Sequence, residues 1–180
     1  LGETIDIHSG GVDLIFPHHE NEIAQSEAAT GKKFVNYWVH GEHMLINGRK
    51  MSKSLGNFLS LKDVINQGFD PVALRYLFVS SNYREQLNFT FDALDAAKKT
   101  LNNLNDFVSN MKSMEVKGNY NQSLFDTLEK TRKSFEKFMD DDFNTPNALA
   151  SVFNLVRETN KAIDQNDLSG RNLQEILEFI

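Results

Sequence analysis

The stretch FPHHENEIAQSE, residues 16–27, decides how the first part of the chain folds. Pro17 suits the first turn of a helix, where a missing N–H costs nothing, and Gly31 suits the helix end. On that helix His18 and Glu22 lie four residues apart and therefore share a face. An imidazole and a carboxylate so placed can both reach one zinc ion. The same residues also fit a simpler hypothesis, in which the acids favour a positive helix N-terminus and the histidines cap it or lie on the surface.

A strand and a pair of glycines precede this helix. ETIDIH, residues 3–8, alternates polar and apolar side chains, which predicts a strand. Ser9-Gly10-Gly11 then predicts a tight loop, because glycines allow a sharp turn or a close approach of the backbone to a ligand. Ligands of α/β sheets bind at the carboxyl ends of strands, so His8 and Asp13 flank a candidate pocket. A plain turn explains the glycines about as well.

The segment KFVNYWVHGEHMLI follows the helix and is rich in aromatic and β-branched residues. It predicts a strand over residues 35–39 and a second extended segment over 43–46. Asn47-Gly48 then predicts a hairpin turn. His40 and His43 either face a nucleotide or are ordinary loop histidines, and the residues alone leave both alternatives open.

RKMSKSLGN, residues 49–57, is the most specific string in the sequence. Lys50 and Lys53 lie three residues apart, and Ser52 and Ser54 add small hydroxyl groups. Such a loop can surround a polyphosphate. A short basic loop is more often simply solvated, so a spacing of two lysines does not by itself establish a phosphate site.

The rest of the sequence predicts helices joined by short connections. Ser60 and Thr145 are predicted N-caps, with Pro146 at the first position of its helix. Residues 112–122 read as a polar linker, and the aspartates at 140–142 as a solvated loop rather than a metal site. The predicted helices cover residues 61–67, a segment starting at 71, 90–111, 123–139, 146–165 and a last helix ending at 180.

Composition narrows the class of protein. The 180 residues are 40% hydrophobic, which is ordinary for a folded chain, and no apolar run approaches the length of a membrane span. Cysteine is absent, so disulfides and thiolate-rich zinc sites are excluded within these residues. The net charge of −6 argues against binding nucleic acid through bulk positive charge, and any RNA contact needs local basic patches. A cytoplasmic location is compatible with this composition.

The strings GGVDLIFPHHENEIAQSE and KMSKSLGN closely resemble cysteinyl-tRNA synthetases, a family of class I aminoacyl-tRNA synthetases. The resemblance spans essentially the whole chain. It implies an α/β part followed by an all-α part, namely the second half of a Rossmann-like catalytic domain and then helical regions. The implied domains are 1–68 for the catalytic part, 69–112 for stem-contact helices, 113–121 for a linker, and 122–180 for the start of a helical-bundle anticodon-side domain.

The resemblance also implies an activity. These enzymes use ATP, bound with Mg, to attach cysteine to tRNA(Cys), and the reaction passes through a cysteinyl-adenylate. The implied roles are catalysis and ATP binding for Lys50 and Lys53, ATP binding for Ser52, Ser54 and Asp13, and substrate contact for His8.

A zinc ion follows from the resemblance as well. The first histidine and the last glutamate of HHENE, here His18 and Glu22, bind zinc together with two cysteines upstream of this chain. The substrate thiol joins the metal, while His19, Glu20 and Asn21 are implied either to support the metal ligands or to be structural. The ATP-binding HIGH-type motif of the class is also absent here. We therefore expect that the chain is part of a longer polypeptide and has no aminoacylation activity alone.

Two other functions fit less well. A related cysteine ligase activates cysteine in the same way but delivers it to an amino sugar in thiol biosynthesis, and a helical anticodon-side region has no use there. A non-catalytic helical interaction module would carry both motifs by accident. No membrane association is expected under any of these functions.

Overall fold

The computed structural model describes residues 2–52 and 54–180, so Leu1 and Lys53 lie outside the described residues. The chain forms two compact units. The first unit contains Leu1–Asp63 and Tyr83–Phe91, and the second contains Val64–Asn82 and Asp92–Ile180. The domain boundaries expected from the resemblance remain a prediction.

The first unit is built on two parallel strands joined by a helix. Strands β1 and β2 pair from Ile5 opposite Val35 to Gly11 opposite Gly41. The helix between them ends as predicted, because Gly31 adopts a left-handed conformation (φ 68°) and closes its last turn. The elements in order are β1 (Ile5–Gly11), a 3₁₀ turn (Val12–Leu14), a π-helical turn (Ile15–His19), α1 (Glu20–Thr30) and β2 (Val35–Gly41).

Two expectations for this region are wrong. The glycine loop predicted at residues 9–11 is instead the end of β1. Gly10 is required there by close packing, since a Cβ atom would lie 2.7 Å from Cε1 of His19. The α-helical ladder also starts at Glu20 rather than at Pro17. The residue before a proline is pushed away from helical angles, and Phe16 is extended (φ −134°, ψ 131°), so the chain enters α1 through the π-helical turn.

A small second sheet completes the first unit. Strands β3 (Leu45–Ile46) and β4 (Arg49–Lys50) form the predicted hairpin, and Asn47 (φ 49°) and Gly48 (φ 75°) supply its two left-handed turn positions. A further strand, β5 (Asn88–Phe89), pairs in parallel with β3. Two residues are too few to show the alternation that predicts a strand, so β5 was not expected from the sequence.

Helices follow the hairpin, and capping side chains define where they begin. The Asp70 carboxylate accepts the N–H of Val72 at 2.8 Å at the start of α3. The cap predicted at Thr145 is wrong by one residue, because the side chain of Asn144 accepts the N–H of Asn147 instead. The helices are α2 (Leu61–Asn66), α3 (Pro71–Val79), α4 (Phe91–Ser113), α5 (Gln122–Asp140), α6 (Thr145–Asp164) and α7 (Gly170–Phe179).

Helices α4 to α7 enclose the main core of the second unit. The buried side chains lie four positions apart in α4 and in α5 and seven apart in α6, spacings that place them on one face of each helix, and one more comes from the connection between α6 and α7. The buried members are Phe107, Met111, Leu124, Leu128, Leu155, Ala162, Leu168 and Ile176. No helix in the described part of the chain is both long and apolar enough to cross a membrane.

The segment between α4 and α5 is held against the α6–α7 connection by hydrogen bonds. Gly118 N–H donates to the carbonyl of Leu168 at 3.2 Å. Asn121 N–H donates to Oδ1 of Asn172 at 2.8 Å, and Asn172 Nδ2 donates back to the carbonyl of Asn121 at 3.1 Å. Asn172 is almost fully buried and Asn121 is half-buried, so this reciprocal pair satisfies polar groups that have little access to water. We call it the Asn121–Asn172 clasp.

Replacing Asn172 with alanine tests the clasp. The change removes both bonds and strands the backbone N–H and carbonyl of Asn121, so we expect a loss of about 2–4 kcal/mol in the free energy of unfolding. Denaturant unfolding of the chain measures it. The matched control is Asn160→Ala on the exposed face of α6, which should change stability by less than about 0.5 kcal/mol. Equal effects of the two variants would contradict the role of the clasp.

Candidate metal site and lysine loop

One face of the β1–β2 pair carries a cluster of rings. His8 pairs with Trp38 and Gly10 with His40, and side chains of paired residues point to the same face of a sheet. The rings of His8 and Trp38 are 4.8 Å apart, and those of Trp38 and His40 are stacked at 5.7 Å. Gly10 leaves a gap on this face, and the ring of His19 fills it. These four rings, from His8, Trp38 and His40 on the strands and His19 in the turn before α1, form one cluster, which we call the platform.

His19 is the buried centre of this platform, with 3% of its surface exposed. Its Nδ1 lies 2.8 Å from Nε2 of His40, so one of these nitrogens donates and the other accepts. Burial lowers the pKa of His19, and the neighbouring imidazoles of His40 and His8 lower it further. These surroundings favour the neutral form of the ring.

Glu22 joins the platform to the helix. Its Oε2 lies 2.8 Å from Nε2 of His8, and its Oε1 lies 3.4 Å from Nε2 of His18. An ionised carboxylate only accepts, so His8 is the donor of the short bond. That hydrogen bond lowers the pKa of Glu22, although partial burial works in the opposite direction. The carboxylate is therefore ionised and bridges two imidazoles from different segments.

The geometry of His18 and Glu22 fits a tetrahedral zinc site. Two ligands at about 2.0–2.1 Å from a tetrahedral ion are about 3.4 Å apart. The separation between His18 Nε2 and Glu22 Oε1 is 3.4 Å, and both side chains are partly exposed, which leaves room for further ligands. His8, His19 and Glu22 form a second candidate donor set, with ligand atoms within 4.8 Å of one another. Glu22 belongs to both sets.

The contact between His8 and Glu22 was missed by sequence reasoning, which assigned His8 to substrate. The alternation of side chains in β1 predicts part of this contact, because it places His8 and Gly10 on one face of the strand. Nothing local indicates that this face lies against α1. The assignment of His8 to a substrate pocket stays a prediction.

Asp13 and His43 lie just beyond the carboxyl ends of β1 and β2. His43 Nδ1 is 4.0 Å from Asp13 Oδ1, an ion-pair distance if the imidazole is protonated. His40, by contrast, lies within β2 and bonds to His19, so it is not a loop histidine. The role of Asp13 in binding ATP remains a prediction.

The lysine loop, residues 50–57, follows the hairpin. Lys50 is the last residue of β4 and is exposed. The hydroxyls of Ser52 and Ser54 lie 2.6 Å apart, and Ser54 N–H donates to Ser52 Oγ at 3.2 Å. The two hydroxyls therefore lie side by side. Lys53, predicted to bind ATP and assist catalysis, lies outside the described residues.

Substitution of Gly10 tests the packing beneath the platform. A methyl group at Gly10 meets the His19 ring at 2.7 Å and Leu14 Cδ1 at 2.9 Å, so Gly10→Ala should lower the free energy of unfolding by about 1–3 kcal/mol. Denaturant unfolding followed by Trp38 fluorescence measures it. Gly41→Ala on β2 is the matched control, because its nearest neighbour would be 3.8 Å away. A Gly10 variant as stable as the control would show that the ring does not require glycine.

Both parts of the chain match known protein families. Residues 1–99 match the family described as tRNA synthetases class I (C) catalytic domain. Residues 134–180 match the DALR domain. The predicted fold class, an α/β catalytic part followed by a helical part, is confirmed.

Relatives with assigned names match along the whole chain. A protein of Protochlamydia amoebophila named Cysteine–tRNA ligase is 45% identical over 183 residues, covering 100% of this chain and 37% of the relative. Proteins of the same name from Chlamydia pneumoniae and Solibacter usitatus are 48% and 44% identical, and the chain covers 38% and 39% of them. The chain thus spans less than two fifths of the length of these relatives.

A solved structure shares the fold at low identity. The LeuRS chain in a ternary LeuRS–tRNA–LeuAMS complex from Agrobacterium radiobacter K84 aligns with a TM-score of 0.72 at 14% identity. The alignment covers 96% of this chain and 24% of the LeuRS chain. With more than half of its residues matched by the family, the chain belongs to the tRNA synthetases of class I, in the group of the (C) catalytic domain.

Proposed function

We propose that the protein containing this chain attaches cysteine to tRNA(Cys), using ATP and Mg and passing through a cysteinyl-adenylate. The observation that carries the proposal is the similarity of the whole chain, at 42–48% identity, to proteins named Cysteine–tRNA ligase. The amino-sugar ligase and the interaction module are not favoured by these matches, and the DALR match over residues 134–180 supports a tRNA-dependent function. The protein would act in the cytoplasm.

The lysine loop would serve the activation step. When a cysteine carboxylate attacks the α-phosphate of ATP, negative charge builds on the pyrophosphate that leaves. Ammonium groups of Lys50 and Lys53 are suited to stabilise that charge, with the Ser52 and Ser54 hydroxyls as additional donors. The exposure of Lys50 and the contact between the two hydroxyls support this role.

His18 and Glu22 would hold the zinc ion, together with two cysteines of the upstream part of the protein. Zinc binds a thiolate far better than a hydroxyl, so a bound ion would favour cysteine over serine. His8 would act on Glu22, because its Nε2–H bond occupies one carboxylate oxygen and directs the other toward His18. The hydrogen bond between the buried His19 and the half-buried His40 would keep this platform rigid.

The helical unit would contact the tRNA. The chain carries a net negative charge, so such contacts need a local concentration of cations. Three lysines of α5 line one open depression, although acidic side chains of the same helix border it. Their spacing places them on one helix face. These lysines are Lys130, Lys133 and Lys137.

Cysteine-dependent exchange of pyrophosphate into ATP tests the function. The complete protein should catalyse exchange with cysteine and not with serine, and should then charge tRNA(Cys) but not an amino sugar. The isolated 180-residue chain should show neither activity, because it contains neither the cysteine ligands nor the HIGH-type motif that the resemblance implies for the complete protein. Transfer to an amino sugar would support the related ligase instead, and rapid exchange by the isolated chain would contradict the need for the missing part.

Glu22→Gln tests the zinc assignment in the complete protein. Glutamine keeps the size of the side chain but removes the negative charge that binds the metal, so we expect zinc affinity to fall about 100-fold or more. Discrimination between cysteine and serine should be lost with it. Zinc content by mass spectrometry and exchange assays measure the two effects. Glu20→Gln, an exposed acid two residues earlier, is the control and should retain zinc. Full zinc occupancy in the Glu22 variant would refute the assignment.

A further inference from the structure

The side chain of Asn57 spans the lysine loop from its far end. Its Oδ1 accepts the N–H of Ser52 at 2.8 Å, and its Nδ2 donates to the carbonyl of Lys50 at 3.0 Å. Both groups of one amide are thus used on backbone atoms five and seven residues earlier. Gly56, just before Asn57, has φ 65°, the left-handed conformation that turns the chain back on itself. These bonds join the two ends of the lysine loop, and we call the closed segment from Lys50 to Asn57 the ring.

The ring determines which groups of the loop can meet an anion. Backbone N–H groups form the cradle in many phosphate-binding loops. Here the N–H of Ser52 is taken by Asn57 and that of Ser54 by the Ser52 hydroxyl. The loop therefore offers side-chain groups, above all the ammonium of Lys50, rather than these two amides. The position of such a group depends on the backbone that carries it. Pairing of β4 with β3 holds the Lys50 backbone on one side, and Asn57 holds it on the other through the Lys50 carbonyl and the Ser52 N–H.

We propose that Asn57 is a positioning residue for amino-acid activation: its bonds to the Lys50 carbonyl and the Ser52 N–H hold the backbone at these two residues in place before ATP binds. The proposal rests on the proposed function. Without the ring, the loop samples many arrangements and must be ordered within the transition state itself. The ordering cost then appears in the rate of activation rather than in the binding of cysteine.

The first experiment measures activation in the complete protein. Asn57→Ala should lower kcat for cysteine-dependent pyrophosphate exchange by at least about tenfold, since two hydrogen bonds are lost, and leave the KM for cysteine unchanged. Single-turnover transfer from preformed cysteinyl-adenylate to tRNA should keep its rate. A partly unfolded enzyme would lose activation and transfer together. Thr4→Val is the matched control, because it removes one side-chain bond, to the Lys33 carbonyl at 2.7 Å, from the same unit.

The second experiment measures the ring without any activity. Amide hydrogen exchange over residues 49–57 should speed up in Asn57→Ala. It should stay slow at Ser52 in Asn57→Asp, which keeps an acceptor for that N–H. Unchanged exchange in Asn57→Ala, equally fast exchange in both variants, or faster exchange with a normal kcat would each overturn the proposal. If amide hydrogen exchange changes as expected but the unaltered protein shows no cysteine-dependent activity, the hydrogen bonds of Asn57 are confirmed and the proposed function is wrong.

Discussion

The carboxylate of Glu22 is the contact on which the candidate site depends. It receives a hydrogen bond from His8 in β1 and lies against His18, which precedes α1. One ionised group thereby fixes the distance between a strand and the start of a helix. The parallel pairing of β1 with β2 makes this possible, because it brings Trp38 and His40 beside His8 and creates a surface on which His19 packs.

Local features of this arrangement were predictable from the sequence. The spacing of His18 and Glu22 is a property of a single helical turn, and the helix end at Gly31 and the hairpin at Asn47-Gly48 follow from backbone preferences of one or two residues. The contacts of His8 with Glu22 and of His19 with His40 span 14 and 21 residues. They depend on how the strands pair, and periodicity within one segment does not contain that information.

The misread glycines illustrate the same limit. A glycine pair after an alternating segment is typical of a turn, but at Gly10 the absence of a side chain makes room for an imidazole from elsewhere in the chain. Asn57 is a comparable case on the lysine loop. The string RKMSKSLGN indicates phosphate chemistry through its lysines and serines, whereas the contacts of its last residue, Asn57, with the Lys50 and Ser52 backbone are visible only in the structure.

The Asn121–Asn172 clasp has a practical consequence for handling the protein. By composition, the polar segment between α4 and α5 is where a protease site, a fluorescent label or an inserted peptide would be introduced. A Cβ at Gly118 would lie 2.6 Å from the carbonyl oxygen of Leu168, and Tyr120 donates to Glu175 at 3.1 Å. A connection so bound to its surroundings must detach from α7 before an enzyme can cut it, so this apparent tether is a poor place to open the chain.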